Sequence, residues 1–426
     1  MRTHCNSVRR QFNCKFAPYF MNFRLGAEIL IEKALTSNLV LPNVNITATT
    51  SRDGIVIIVY PKLLASAYAS LRVLRHVLHC DLPIAIFYRP DELTAQDQRF
   101  KPIQDFAAKN QKITFQEIHD PHAKRFLAKI YAIYHTTFDR VLFLDADNVP
   151  VRDPSFLFES REFLDTGAMF WPDFWYPGHS MFGLSTHSLV WELLDLPFVD
   201  MFEQESGQVL IDRRRHALPL ELVRYYGFHR PNFFTSLKLA WGDKDLFRFA
   251  WLKLNVPFTM IQTPPAMAGV IVEKSRATRD FCGMTMVQHD ANGEILFVHR
   301  NRVKLTGTFA DQNHIDTMHD DLVGDHSIYA TGAALDTVVK YPDPTIWTHV
   351  ARFRMESDRK HYTIKSFMAN LSFKSRQKCY GLRDVDQNPH FYIQDIAALN
   401  LSGLESHLQQ YALESVEYLS KNVSKG

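Results

Sequence analysis

Asp145-Ala146-Asp147-Asn148-Val149-Pro150 follows directly on the apolar run Val141-Leu142-Phe143-Leu144. The four apolar residues read as a buried parallel strand, and the carboxylates begin where that strand runs out. In open α/β sheets ligands bind in the crevice outside the carboxyl ends of the strands. Two aspartates one residue apart, on a backbone leaving a strand, reach the same ion and its ligands. Oxygen donors suit Mg²⁺ or Mn²⁺, which keep waters and bridge to substrate phosphates. The segment therefore predicts a diphosphate-bearing substrate held through a divalent cation. A bare Asp-x-Asp pair is common; its place between an apolar strand and Asn-x-Pro gives it weight.

Elements of the right kind lie around it. Gly54 opens an apolar strand at residues 55–60, closed by Pro61. Leu64, Ala67, Leu71, Leu74 and Leu78 then recur at helical spacing, which predicts an amphipathic helix over 63–78. Strands are predicted at 83–88 and 113–118, a helix at 123–134, and the acidic strand next. This alternation argues for a parallel, doubly wound sheet. Later strands are predicted at 168–170, 256–261 and 295–298, the last two in a mixed part of the sheet. Residues 1–50 read as irregular apart from a helix near 27–35. Residues 311–345 are polar, rich in His and Asp and broken by Gly and Pro, and 391–419 looks helical. The chain thus divides into an N-terminal segment (1–50), a main domain (51–310) and a C-terminal accessory region (311–426).

Composition narrows the function classes. With 426 residues the chain is too long for one small core, and 46% hydrophobic and 22% charged residues are ordinary for a globular protein. A net charge of +2 gives no reason to invoke nucleic acid or an anionic membrane surface. The one sharp basic run, Arg213-Arg214-Arg215, reads as a solvated helix end. The 32 Phe and 16 Tyr suit a large core with sugar-stacking platforms. Cys5, Cys14, Cys80, Cys282 and Cys379 show no metal-ligand spacing and no C-x-x-C pair. Asn45-Ile46-Thr47, Asn370-Leu371-Ser372, Asn400-Leu401-Ser402 and Asn422-Val423-Ser424 are glycosylation tripeptides usable in a secretory lumen. No stretch reaches the ~18–20 apolar residues of a membrane span. The apolar stretch at residues 16–31 is broken by Arg24 and Glu28 and lacks the build of a signal peptide.

Four further blocks follow the acidic pair: Gly167-Ala168-Met169-Phe170-Trp171-Pro172-Asp173-Phe174-Trp175, Glu205-Ser206-Gly207-Gln208-Val209-Leu210-Ile211-Asp212, Gly242-Asp243-Lys244-Asp245 and Phe297-Val298-His299-Arg300-Asn301. In this order they resemble the fungal-type α-mannosyltransferases that build mannan branches and outer chains, glycosyltransferase family 71. The resemblance runs from near Gly54 to about Asn301. It implies a GT-A-like, Rossmann-type mixed sheet flanked by helices, with a mostly helical C-terminal appendage. It also implies a retaining transferase using GDP-mannose and Mn²⁺ (or Mg²⁺), acting on a mannoside or glycan acceptor.

On this resemblance Asp145 and Asp147 match the metal and nucleotide-sugar motif, and His299 matches a late histidine that completes the metal site. Neutral imidazole is a competent ligand for Mn²⁺. Retention requires a covalent intermediate or same-face attack, so a carboxylate near the anomeric carbon acts as nucleophile or stabilises an oxocarbenium-like state. Glu205, Asp243 and Asp173 are the candidates. Glu205 precedes Ser206-Gly207, read as a turn that lets backbone approach the donor; Asp243 follows Gly242; Asp173 lies among Trp171, Phe174 and Trp175, read as a hexose platform. Lys244 and Lys129 are read either as diphosphate contacts or as ordinary ion pairs. The family is expected in the Golgi lumen, with its anchor absent from this sequence; a cytoplasmic protein is the alternative. Three other readings stay open. One is a UDP-sugar donor. A second is a non-catalytic sugar-binding relative. The third is a haloacid-dehalogenase-type phosphatase, whose strand-Asp-x-Asp start normally lies near the beginning of the fold rather than a third of the way along.

Overall fold

A computed structural model describes residues 17–275, 278–308, 341–371 and 373–423. Its strands are β1 (Asp53–Ile58), β2 (Ile84–Tyr88), β3 (Ile113–Glu117), β4 (Arg140–Asp145), β5 (Asn148–Pro150), β6 (Ala168–Pro172), β7 (Gln204–Asp212), β8 (Thr259–Met260), β9 (Ala266–Ser275), β10 (Thr278–His289), β11 (Ile295–His299), β12 (His349–Phe353), β13 (Lys365–Leu371), β14 (Lys374–Gly381) and β15 (Phe391–Asp395). The chain divides into two compact units, Met1–Val56 with Ile118–Phe143 and Phe158–Met260, and Ile57–Glu117 with Leu144–Leu157 and Ile261–Gly426. The boundaries fall inside β1 and β4, so each unit is described with its own part of those strands.

In the first unit the strand order is β1-β4-β7-β6-β8. β6 is parallel to β8 and antiparallel to β7, the mixed sheet expected. The inner residues of β4 and all of β6 are buried, as strands apolar on both faces must be. Helices Leu127–His135, Ala217–Phe228 and Leu246–Lys253 flank this sheet. Phe170 meets Trp251 edge to face, with ring centroids 5.1 Å apart. Helix Ala17–Thr36 begins ten residues before the helix read at 27–35. Its first turns carry Phe20 and Phe23, which pack on Phe233 at 5.6 Å and Tyr226 at 5.7 Å. Such contacts between distant segments leave no local periodicity to read.

Arg213 is not a solvated helix end. It is 0% exposed and follows β7, and its guanidinium donates to four main-chain carbonyls. These are Thr136 O at 2.9 Å, Pro42 O and Tyr134 O at 2.7 Å each, and Phe138 O.

In the second unit β3-β2-β1-β4 follow one another, with β2 and β3 parallel and Ile84 level with Ile113. A six-stranded sheet has the order β15-β12-β9-β10-β11-β5, antiparallel throughout. β13 and β14 form a separate hairpin, tied to β10 by a disulfide between Cys282 and Cys379. The C-terminal helix is Leu404–Val423. It packs on helix Leu64–Arg72, where Arg72 pairs with Glu414 at 2.8 Å and covers the Tyr411 ring. The C-terminal region is less helical than read, because residues 391–395 are a strand. Phe391 pairs with Phe353 across β12, and their rings lie 5.2 Å apart, a cross-strand contact that outweighs local helix preference. Among the described residues no helix is long and apolar enough to cross a membrane.

Candidate active site

β4 delivers Asp145 at its carboxyl end, and the chain turns through Ala146 and Asp147 into β5. The Ala146 carbonyl accepts a hydrogen bond from Ser70 Oγ at 3.0 Å, which pins the turn to helix Leu64–Arg72. β5 then pairs antiparallel with β11 in a register that sets Asn148 opposite His299. This pairing carries the late histidine to the acidic pair from more than a hundred residues away. His299 Nε2 lies 3.3 Å from Asp147 Oδ1. A carboxylate oxygen of Asp145 and a ring nitrogen of His299 lie within 4.8 Å of one another. The three expected metal ligands are thus brought together in the second unit. Asp145 and His299 are half-buried and Asp147 is buried.

Lys304 went unread in the sequence. Its ammonium pairs with the second oxygen of Asp147 and donates to Arg300 O at 2.8 Å. Arg300 N in turn donates to Asp147 O at 3.0 Å. Burial opposes ionisation of Asp147, but Lys304 and His299 outweigh it and hold the carboxyl far below the usual carboxylate range. Two carboxylates and an imidazole form an oxygen-rich donor set with one nitrogen, which fits Mn²⁺ or Mg²⁺.

The other expected residues gather in the first unit. β6 and β7 pair so that Trp171 faces Glu205 and Pro172 faces Gln204. The next link is Asp173 N to Glu203 O at 2.8 Å. Asp173 and Glu203 therefore emerge side by side, and Lys244 fills the space between them. Its ammonium lies 2.7 Å from Asp173 Oδ2, contacts Glu203, and lies 3.6 Å from Asp245. Asp245 also accepts from Gln204 N at 2.9 Å and pairs with Arg248 at 2.6 Å. Lys244 is therefore a buried cation committed to carboxylates, neither a surface ion pair nor an ammonium standing free for a diphosphate. Burial works against its charge, and Asp173, Glu203 and Asp245 outweigh that and hold it protonated. Burial also pushes the Asp173 carboxyl up, with Glu205 and Glu203 adding to the shift against Lys244.

Lys129 is buried as well. It donates to Ser206 O at 2.7 Å and Ser206 Oγ at 3.1 Å, and lies 3.5 Å from Asp243. Two local readings change. Glu205-Ser206-Gly207 lies inside strand β7 rather than in a turn, and Gly207 N donates to Glu205 Oε1 at 2.6 Å. Trp171 and Phe174 are core residues at 0% and 3% exposure, so neither offers a hexose a stacking face. Gly242 has φ +58, and a Cβ there would lie 2.7 Å from the Phe126 ring. Left-handed backbone favours glycine, and the Phe126 ring leaves a side chain no room there. Of the three candidate acids, Glu205 alone is half-buried; Asp173 and Asp243 are buried.

A family model described as "Mannosyltransferase putative" matches residues 52–188 and 197–290, more than half of the chain. The chain belongs to this mannosyltransferase family. An alpha-1,2-mannosyltransferase of Saccharomyces cerevisiae is 25% identical over 292 residues, 56% of this chain and 48% of that protein. An alpha-1,2-mannosyltransferase of Candida albicans is 29% identical over 233 residues, 44% of this chain and 35% of that protein. The chain therefore spans half or less of the length of these relatives. Among solved structures, the mannosyltransferase Ktr4p of S. cerevisiae aligns with a TM-score of 0.35 at 13% identity, over 56% of this chain and 76% of that one. Family membership removes the phosphatase reading of the acidic strand.

Proposed function

We propose that this protein transfers a mannosyl group from GDP-mannose to a mannoside or glycan acceptor, with retention of configuration and with a divalent cation. The convergence of Asp145, Asp147 and His299 in a chain of a mannosyltransferase family carries this reading. These three residues would hold Mn²⁺ or Mg²⁺, which when bound neutralises charge on the departing diphosphate. Lys304 keeps Asp147 ionised and oriented. Glu205 is assigned to the anomeric carbon, as nucleophile or as stabiliser of positive charge, because Asp173 and Asp243 are buried in ion pairs. The Gly207 N–H fixes the Glu205 carboxylate. Lys129 and Lys244 anchor the strand that carries it. We take residues 51–310 as the catalytic region, since every residue assigned here falls within it. The disulfide between Cys282 and Cys379 supports a secretory lumen, since such bonds persist in oxidising compartments.

Purified protein with a panel of nucleotide sugars, Mn²⁺ and α-mannoside acceptors tests the proposal. The expected outcome is acceptor-dependent GDP release from GDP-mannose and an α-linked product. Chelation should abolish it and added Mn²⁺ restore it. Asp145→Ala should lower the rate by about a thousandfold, the scale on which lost electrostatic stabilisation acts. Release from UDP-sugars alone would overturn the donor assignment. GDP binding without turnover would leave a sugar-binding relative.

A further inference from the structure

We propose that Asn45 is a site of N-linked glycosylation, an inference that rests on the luminal location proposed above. Asn45-Ile46-Thr47 lies between helix Ala17–Thr36 and β1, and all three residues are exposed, Ile46 to 61%. Leu401, the middle residue of the Asn400 tripeptide, is 1% exposed and belongs to the core. Asn370 sits at an irregularity of strand β13, whose neighbours Ala369 and Leu371 pair with β14. Asn422-Val423-Ser424 extends beyond the described residues.

The local geometry also favours Asn45. Its side-chain oxygen accepts from Thr47 N at 3.0 Å and from Thr47 Oγ1 at 2.8 Å. Both contacts fall on the oxygen, so the amide nitrogen, which is the reacting atom, is not what holds the turn. Asn43 Nδ2 donates to His135 O at 2.7 Å and steadies the loop beside it. A glycan here would meet water and the Ile46 side chain rather than packed core.

The co-reactant is an oligosaccharide carried on a lipid diphosphate, with the luminal transferase of the host cell. The Asn45 amide nitrogen forms a bond to the sugar C1. The C1–O bond to the diphosphate breaks, its electron pair leaves with the lipid diphosphate, and the amide gives up one proton. The disulfide in the second unit is an independent mark of the same oxidising compartment.

The test uses full-length protein isolated from its own cells. Peptide N-glycosidase digestion in ¹⁸O-water, followed by mass spectrometry, should convert Asn45 to ¹⁸O-labelled Asp in most molecules. Asn45→Gln should remove one glycosidase-sensitive step in gel mobility and leave nucleotide-sugar turnover unchanged. Non-reducing peptide maps of the same sample report the Cys282–Cys379 bond. Unmodified Asn45 with the disulfide formed overturns the glycosylation proposal and leaves the luminal reading standing. Unmodified Asn45 with both cysteines as free thiols overturns both.

Discussion

Lys244 serves Asp173, Glu203 and Asp245 with one buried ammonium. Removing a partner from such a cluster leaves uncompensated buried charge. Lys244→Met should therefore destabilise the protein by about 3–5 kcal/mol in urea denaturation. His216 gives a second test. Burial lowers its pKa to about 4, and its ring sits 2.9 Å from Thr166 O. The native state binds this proton less readily than the unfolded chain does. The contribution of His216 is thus fully present above about pH 6.5 and is lost as pH falls towards 4, by roughly 3 kcal/mol. His216→Gln should flatten the stability–pH curve across that window. That Asp145, Asp147 and His299 would meet was legible because strand ends and ordered blocks mark them. The roles of Lys304, Glu203 and Asp245 were not, since an ion pair is decided by segments that meet only in the fold and leaves no spacing behind.

The pairing of β5 with β11 places His299 beside Asp147, and the turn at Gly242 places Lys244 and Asp245 against the start of β7. Gly242→Ala meets both a left-handed backbone and the Phe126 ring. It should cost about 1–3 kcal/mol in thermal or urea unfolding. In a Phe126→Ala background the clash disappears and the strain remains, so the cost should shrink without vanishing. β1, β2, β3 and β4 were legible as apolar runs between turns, and observed ends lie within two residues of the predicted ones. β7 was missed because Ser206-Gly207 interrupts its apolar run, and Gly reads locally as a turn. β9 and β10 were missed because their cross-strand partners, rather than a period of two, define them.

For the molecule as a whole, the disulfide between Cys282 and Cys379 closes a separation of 97 residues. Reduction, or Cys282→Ser with Cys379→Ser, should lower stability by about 2–4 kcal/mol, measured by urea denaturation with and without reductant. The pair could not be read from the sequence, where five scattered cysteines allow many connectivities. Arg213 bears on how freely the chain can vary. Its four partners are backbone oxygens of Pro42, Tyr134, Thr136 and Phe138. Every amino acid supplies that oxygen, so these contacts make no demand on which side chains stand at 42, 134, 136 and 138. A mutational scan scored for folded protein should show position 213 intolerant even of lysine, whose ammonium has three donors and no planar fork. Between diverging relatives the contact would leave no correlated substitutions, so methods that infer proximity from co-variation would be blind to one of the best-connected side chains in the first unit.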